Sequence, residues 1–357
     1  MAKERQIYFI IIAIVVFIAY IVFAAQPAPR ETILTNNWIV SLDGEEEAVS
    51  GARLFPFFLG NRFGYVTEQG ALALNREKEG IVSLTPWYWS EYESAPKSIV
   101  ITNPRTGNEL TLDEPWGYPF FLDGRIFLIG KDQASLGELD ETGETLWIYD
   151  FEAPLTCLDA AGGYVLAGSL DGTIDLLDSE GKQVFPSFAP GASRIPVIAG
   201  CRLSSDGSKI ALVCGVDKQR FIFLEWYSDR DYRITFHDFL QGEGFRREVY
   251  IAFIDGEKKV VFEQEAGLGI FDVGERTLTT FPVSGKIEAF DTGGDDGLFF
   301  YISSGPPGEK YLTALKLPGK ELLTVPFKSD TAFLSRSGKQ LVLGGGMTLA
   351  SFNLDKR

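Results

Sequence analysis

A strand, a polar turn and a second strand keep returning along this chain. They recur as ALALNREKEGIVSL (71–84), IVITNPRTGNELTL (99–112), LGELDETGETLWIY (136–149), IDLLDSEGKQVF (174–185), GIFDVGERTLTTF (269–281) and TALKLPGKELLTV (313–325). The turn glycines fall at 80, 107, 143, 181, 274 and 319, with a glycine-free equivalent, YSDRDYRI, near 230. Most intervals are 36 to about 49 residues, and no long helical period interrupts them. A fixed period in this range means that one small unit repeats and buries its faces only against its neighbours.

Ahead of most of these hairpins sits another, as in YPFFLDGRIFLIG (118–130), TCLDAAGGYVLAG (156–168), CRLSSDGSKIALVCG (201–215), AFIDGEKKVVFEQ (252–264) and AFLSRSGKQLVLGG (332–345). Four strands per unit result, which is the content of one β-propeller blade. The last unit stops after LASFNL (349–354), short of an outer strand, while an orphan strand, NWIVSL (37–42), precedes the first. Pairing those two ends would close the ring and remove exposed sheet edges. The fold class expected is therefore all-β: a seven-bladed propeller, with eight blades as the alternative, closed by its N- and C-terminal strands. The two counts differ in how residues 55–118 are divided, because Gly80 and Gly107 are only 27 residues apart. That stretch holds either one enlarged blade with an inserted hairpin or two blades with one incomplete.

The N-terminus makes a separate demand. Residues 7–25, IYFIIIAIVVFIAYIVFAA, carry no charge over 19 positions. As a helix they would span about 28 Å, close to the thickness of a bilayer core. Lys3 and Arg5 precede the run and acidic residues follow it, so the positive-inside tendency puts residues 1–6 in the cytoplasm. The run is longer than a signal-peptide core, which favours a retained anchor over a cleaved signal. The expected organisation is thus a cytoplasmic N-terminus (1–6), a transmembrane anchor (7–25), a linker (26–32) and a propeller domain (33–357). The localisation expected is single-pass in the inner membrane with the propeller on the periplasmic side.

Charge narrows the partners. Against 33 basic residues stand 49 acidic ones, a net charge of -16 that repels phosphate backbones, so no nucleic-acid partner is expected. Cys157, Cys201 and Cys214 lack the spacing of a zinc site and read as thiols on buried strands. The placing of Cys201 and Cys214 about one turn leaves open one disulfide between them.

At this point residues 33–357 resemble the WD40-like and quinoprotein-like (PQQ-like) β-propeller superfamily. GSLDGTIDLLDSEGK looks like the middle of such a blade, although no GH-to-WD pairing recurs and the tryptophans occupy no single blade position. The exported propeller subunits of outer-membrane assembly machinery are similar in shape; those are lipid-anchored, and this chain has no cysteine at the end of its apolar run. The resemblance implies a scaffold and no named activity. A quinoprotein dehydrogenase would need a tryptophan platform, a calcium site and vicinal cysteines, which cannot be assembled here, so no cofactor is expected.

Chemistry is sparse. The single histidine, His237, has no GxSxG elbow to serve, and no phosphate-cradling glycine motif is present. Asp171, Asp175, Asp178 and Glu180 depart from the EF-hand pattern and read as turn formers and solvated positions. An enzyme or small-ligand site would have to draw acids from several blades to the central channel. The segment most suited to a surface is TPWYWSEYESAP (85–96), where Trp87, Tyr88, Trp89 and Tyr92 crowd together, joined by Trp116 and Tyr118 from EPWGYP. Aromatic anchors with a polar rim suit a protein interface; the alternative is that these rings pack an inserted hairpin onto the ring. The function expected is a membrane-anchored propeller scaffold, not an enzyme, that binds a protein partner through those six residues.

Overall fold

The structure, a computed structural model, describes residues 13–17, 20, 32–49, 51–191, 193–228, 231–242 and 244–356. Strand β1 (Thr32–Ser41) comes first, and eight antiparallel sheets then make eight blades. Blade 1 is β2 (Leu54–Leu59), β3 (Arg62–Thr67) and β4 (Leu72–Glu77); blade 2 is β5 (Ile81–Leu84), β6 (Trp89–Tyr92), β7 (Ser98–Thr102) and β8 (Glu109–Asp113). Blade 3 is β9 (Gly117–Leu122), β10 (Arg125–Gly130), β11 (Ser135–Leu139) and β12 (Thr145–Asp150); blade 4 is β13 (Leu155–Ala161), β14 (Tyr164–Ser169) and β15 (Ile174–Leu177). Blade 5 is β16 (Ile198–Leu203), β17 (Lys209–Cys214), β18 (Arg220–Ser228) and β19 (Asp231–Phe239); blade 6 is β20 (Ile251–Ile254), β21 (Lys259–Gln264), β22 (Gly267–Asp272) and β23 (Thr277–Phe281). Blade 7 is β24 (Ile287–Phe290), β25 (Leu298–Ser304), β26 (Glu309–Lys316) and β27 (Lys320–Lys328), and blade 8 is β28 (Ala332–Ser337), β29 (Gln340–Gly345), β30 (Thr348–Lys356) and β1.

The expected seven blades are thus corrected to eight. Residues 55–118 hold two blades, the first with only three strands. What hid the second is the brevity of β5 and β6, four residues each, joined by Thr85-Pro86-Trp87-Tyr88, a turn without glycine. The open edge of blade 1 is partly covered: Glu47 N donates to Leu72 O (2.8 Å), and Asn75 N donates to Glu46 Oε1 (2.7 Å). In blade 4 the fourth position is reduced to two bridges, Leu177 to Gln183 and Ile174 to Phe188.

The ring closes as the orphan strand required. β1 runs antiparallel to β30 from Thr32–Lys356 to Ser41–Thr348, with a bulge between Asn36 and Trp38. Blade 8 is tied to blade 1 through Glu68 O, which accepts both Trp38 Nε1 (2.9 Å) and Gln340 Nε2 (2.8 Å), and through Arg53 Nη1, which donates to Ser337 Oγ (2.9 Å).

The expected transmembrane anchor over residues 7–25 is also corrected, and with it the single-pass inner-membrane placement. Among the described residues no helix is long and apolar enough to cross a membrane. Within that run the described residues are 13–17 and 20, all helical. The rest of the run, residues 1–6 and the expected linker except Thr32 lie outside the described residues.

The core is a series of apolar layers between blades. In β17, Ile210, Leu212 and Cys214 pack toward blade 4, while Ala211 and Val213 pack toward blade 6; β18 repeats this with Ile222 and Leu224 against Phe221 and Phe223. Successive side chains leave a strand on opposite faces, and here both faces are covered. That is why the inner strands read as continuous apolar runs. Phe221 stacks on Phe262 of blade 6 at 4.5 Å, one of many cross-blade contacts, each burial adding about 1.5–3 kcal/mol.

Candidate functional site

Four of the aromatic candidates, Trp87, Tyr88, Trp89 and Tyr92, arise from the β5–β6 hairpin of blade 2. Thr85 makes its turn: Thr85 N donates to Tyr88 O (2.9 Å), and Thr85 Oγ1 accepts from Tyr88 N (3.2 Å). From blade 1 the buried Tyr65 donates its hydroxyl to Thr85 O (2.7 Å), and burial pushes its phenol far up in pKa. The turn is therefore held from behind while Trp87, at its tip, is 40% exposed. Its indole lies over the Asp123–Gly124 turn of blade 3, where a Cβ added to Gly124 would be 3.6 Å from the ring.

The other five candidates are half-buried and packed. Tyr88 lies against Phe121 (5.6 Å) and Trp89 against Phe63 (5.8 Å), with the Arg76 guanidinium 5.0 Å over the Trp89 ring. Tyr92 stacks on Tyr118 (5.8 Å), whose hydroxyl donates to Ser94 O (2.7 Å). Trp116 covers Gly137, where a Cβ would come within 2.7 Å of the ring. The structure thus brings Trp87, Tyr88, Tyr92, Trp116 and Tyr118 together at the blade 2–blade 3 seam and turns Trp89 toward blade 1; of the six it presents only Trp87 strongly to solvent.

Tyr88, the residue after Trp87, lines a cleft of about 290 Å³ with an apolar floor of Ile101, Leu110 and Ile126. Glu109 and Glu141 stand on its rim. Both carboxylates are exposed, and neither makes an ion pair or side-chain hydrogen bond among the described residues. Burial raises the Tyr88 phenol, and the nearby Glu141 charge raises it further.

A larger cleft, about 630 Å³, opens where the inner strands of blades 4 to 7 end. Its acids come from separate blades, as a channel ligand would need, but each is engaged in tying one blade to the next. Asp159 Oδ2 accepts Leu203 N (2.7 Å) and its other oxygen lies 3.8 Å from Arg202 Nη1. Glu257 Oε1 accepts Ser205 N (2.5 Å), and Asp295 Oδ1 accepts Gly256 N (3.3 Å). Desolvation raises the Asp159 carboxyl, a rise that Arg202 only partly offsets. Sequence reasoning missed these ties. The signal was an acid on or just after an inner strand, Asp159 in TCLDAAGG, Glu257 in AFIDGEK and Asp295 in EAFDTGGDDG.

The remaining candidates fall elsewhere. His237 is exposed on the outer strand β19, opposite Ile222. Asp171 Oδ1 accepts Thr173 N (3.0 Å) and Asp178 Oδ1 accepts Glu180 N (2.9 Å), so both shape turns. Asp175 departs from the solvated position expected of it: it is 5% exposed and accepts Gln183 Nε2 (2.7 Å) and Ser187 Oγ (2.6 Å), fixing the irregular edge of blade 4. Among the described residues no three His, Cys, Asp or Glu side chains are grouped to hold a metal. Cys201 meets Cys157, with sulfurs 3.1 Å apart, and not Cys214, the partner left open by the sequence, which lies opposite Ile198; all three are buried free thiols.

Comparison with known proteins agrees with this architecture. A family model described as beta-propeller protein matches residues 1–356. An uncharacterized protein of Treponema pallidum (strain Nichols) is 27% identical over 296 residues, covering 80% of this chain and 78% of that protein. Among solved structures, BamB from Moraxella catarrhalis superposes with a TM-score of 0.59 at 14% identity, over 90% of this chain and 100% of that one. A chain of the mitotic checkpoint complex superposes with a TM-score of 0.55 at 11% identity, over 92% and 94%. Likeness at such identities carries the fold alone.

Proposed function

The chain belongs to a family of beta-propeller proteins, and from that premise we propose that it is a protein-binding scaffold that docks its partner on blades 2 and 3 around Trp87. The observation that carries this reading is the placement of Trp87. A large aromatic side chain is held out on a turn braced from behind, beside a cleft with an apolar floor and two unpaired carboxylates. Tryptophan in such a setting is a frequent binding hot spot, because it buries much area at little entropic cost. The partner that fits brings an apolar surface to Trp87 and a basic side chain whose stem lies on Ile101 and Leu110 and whose charge meets Glu109 and Glu141.

The test is affinity capture of the full chain from its native cells, comparing the wild type with Trp87→Ala and with Leu322→Ala, an exposed apolar residue on blade 7. Wild type and Leu322→Ala recover the same stoichiometric partner. Trp87→Ala loses it about tenfold or more, as removal of a hot spot implies, with its thermal midpoint unchanged. Equal recovery by all three, or repeated recovery of a lone chain, would overturn the reading.

A further inference from the structure

Cys157 lies on the inner strand of blade 4 and Cys201 on the inner strand of blade 5. Their sulfurs are 3.1 Å apart, about 1 Å longer than a disulfide bond. Both sit in the apolar layer between those blades, with Cys201 0% and Cys157 6% exposed. The layer holds them in register from both sides. Thr156 Oγ1 donates to Ile198 O (2.7 Å) and Leu203 N donates to Asp159 Oδ2 (2.7 Å), so the seam is hydrogen-bonded near the sulfur pair in each direction.

We propose that Cys157 and Cys201 form a site of disulfide cross-linking between blades 4 and 5. The oxidant is an external disulfide of the glutathione class. Cys157, the more exposed of the pair, attacks it as the thiolate, forming a mixed disulfide and releasing one small thiol. Cys201 then attacks the Cys157 sulfur, the protein disulfide forms, and the second small thiol leaves. One external disulfide is reduced to two thiols, and the protein loses two hydrogens. The exchange takes place while the seam between the blades is open, since the folded layer shields both sulfurs.

The bond has a structural consequence beyond stability. Asp159 is two residues from Cys157, and Arg202 is next to Cys201. Cross-linking therefore fixes covalently the wall of the channel-mouth cleft that these two residues form. It also closes a loop of 44 positions, long enough to restrict the unfolded chain substantially.

The experiment uses the full chain, refolded from urea with reduced or oxidised glutathione. Free thiols are then counted in denaturant, and the cross-linked peptides are mapped. After oxidation the count falls from three to one, the peptides of Cys157 and Cys201 are joined, Cys214 remains free, and the thermal midpoint rises by several degrees. Cys214→Ser, which leaves the pair intact, still loses two thiols; Cys157→Ser loses none to an internal bond. Three thiols persisting after oxidation, a Cys201–Cys214 linkage, or a stable glutathione adduct on either sulfur would overturn the proposal.

Discussion

At the scale of single residues, the turns carry most of what a substitution can test. Gly181 has φ +73°, and a Cβ there would lie 2.5 Å from the Trp147 ring of the preceding blade. Gly163 has φ +83° with nothing within 4 Å. Gly163→Ala therefore incurs only the left-handed backbone penalty, about 1–2 kcal/mol. Gly181→Ala adds a clash with a packed aromatic and is expected to lose about 1–3 kcal/mol more; urea unfolding of the two variants measures the difference. Asp206 gives the pH dependence. The hydroxyls of Ser204 and Ser208, with Ser208 N, hold its carboxyl far below the usual carboxylate range. A depressed folded pKa contributes stability that is complete above the ordinary value near 3.9 and is lost as pH falls through the folded one. The stability advantage of the wild type over Asp206→Asn should therefore be constant from pH 8 to about 5 and shrink steadily in more acidic buffer.

At the scale of elements, the seams between blades differ in kind. Most are apolar, but the one between blades 7 and 8 also contains a buried ion pair. Arg336 Nη1 lies 3.2 Å from Asp291 Oδ2, with the two side chains 1% and 0% exposed, and the same guanidinium bonds Asp296 (2.8 Å) and Leu298 O (3.0 Å). Removing one partner leaves the other charge buried. Arg336→Met is expected to lose about 3–5 kcal/mol, and the double variant with Asp291→Asn to lose less than that single change; a double-mutant cycle by urea denaturation reads both. Element by element, legibility followed local chemistry. The hairpin turns were legible because Gly107, Gly143, Gly172 and Gly181 adopt left-handed conformations that glycine serves best. The closing strand was legible because Trp38, Ile39 and Val40 read as a strand with no hairpin partner beside it in sequence. Blade 2 was not, because the Thr85 hydroxyl and Pro86 do there the work that glycine does in its sister turns. The exposure of Trp87 and the burial of Trp89 depend on which blade lies alongside, and nothing local to TPWYWSEY encodes that.

At the scale of the whole molecule, the ring combines a rigid frame with the exposed tip of the β5–β6 turn at Trp87. The frame comes from eight sheets whose inner strands bury both faces, and from closure through β1 and β30. The acids of the channel mouth contribute to it as ties between blades, whereas on blades 2 and 3 Glu109 and Glu141, unpaired among the described residues, stand near the exposed Trp87. A net charge of -16 adds long-range attraction for a basic partner, and capture should accordingly weaken as ionic strength rises. The most direct measurement is site-specific photo-crosslinking in native cells, with a photoreactive phenylalanine analogue placed at position 87 or, as reference, at position 322. The account predicts one discrete protein adduct at position 87, competed by unlabelled wild-type chain, and none at position 322. No adduct at position 87, or the same adduct at both, would contradict it.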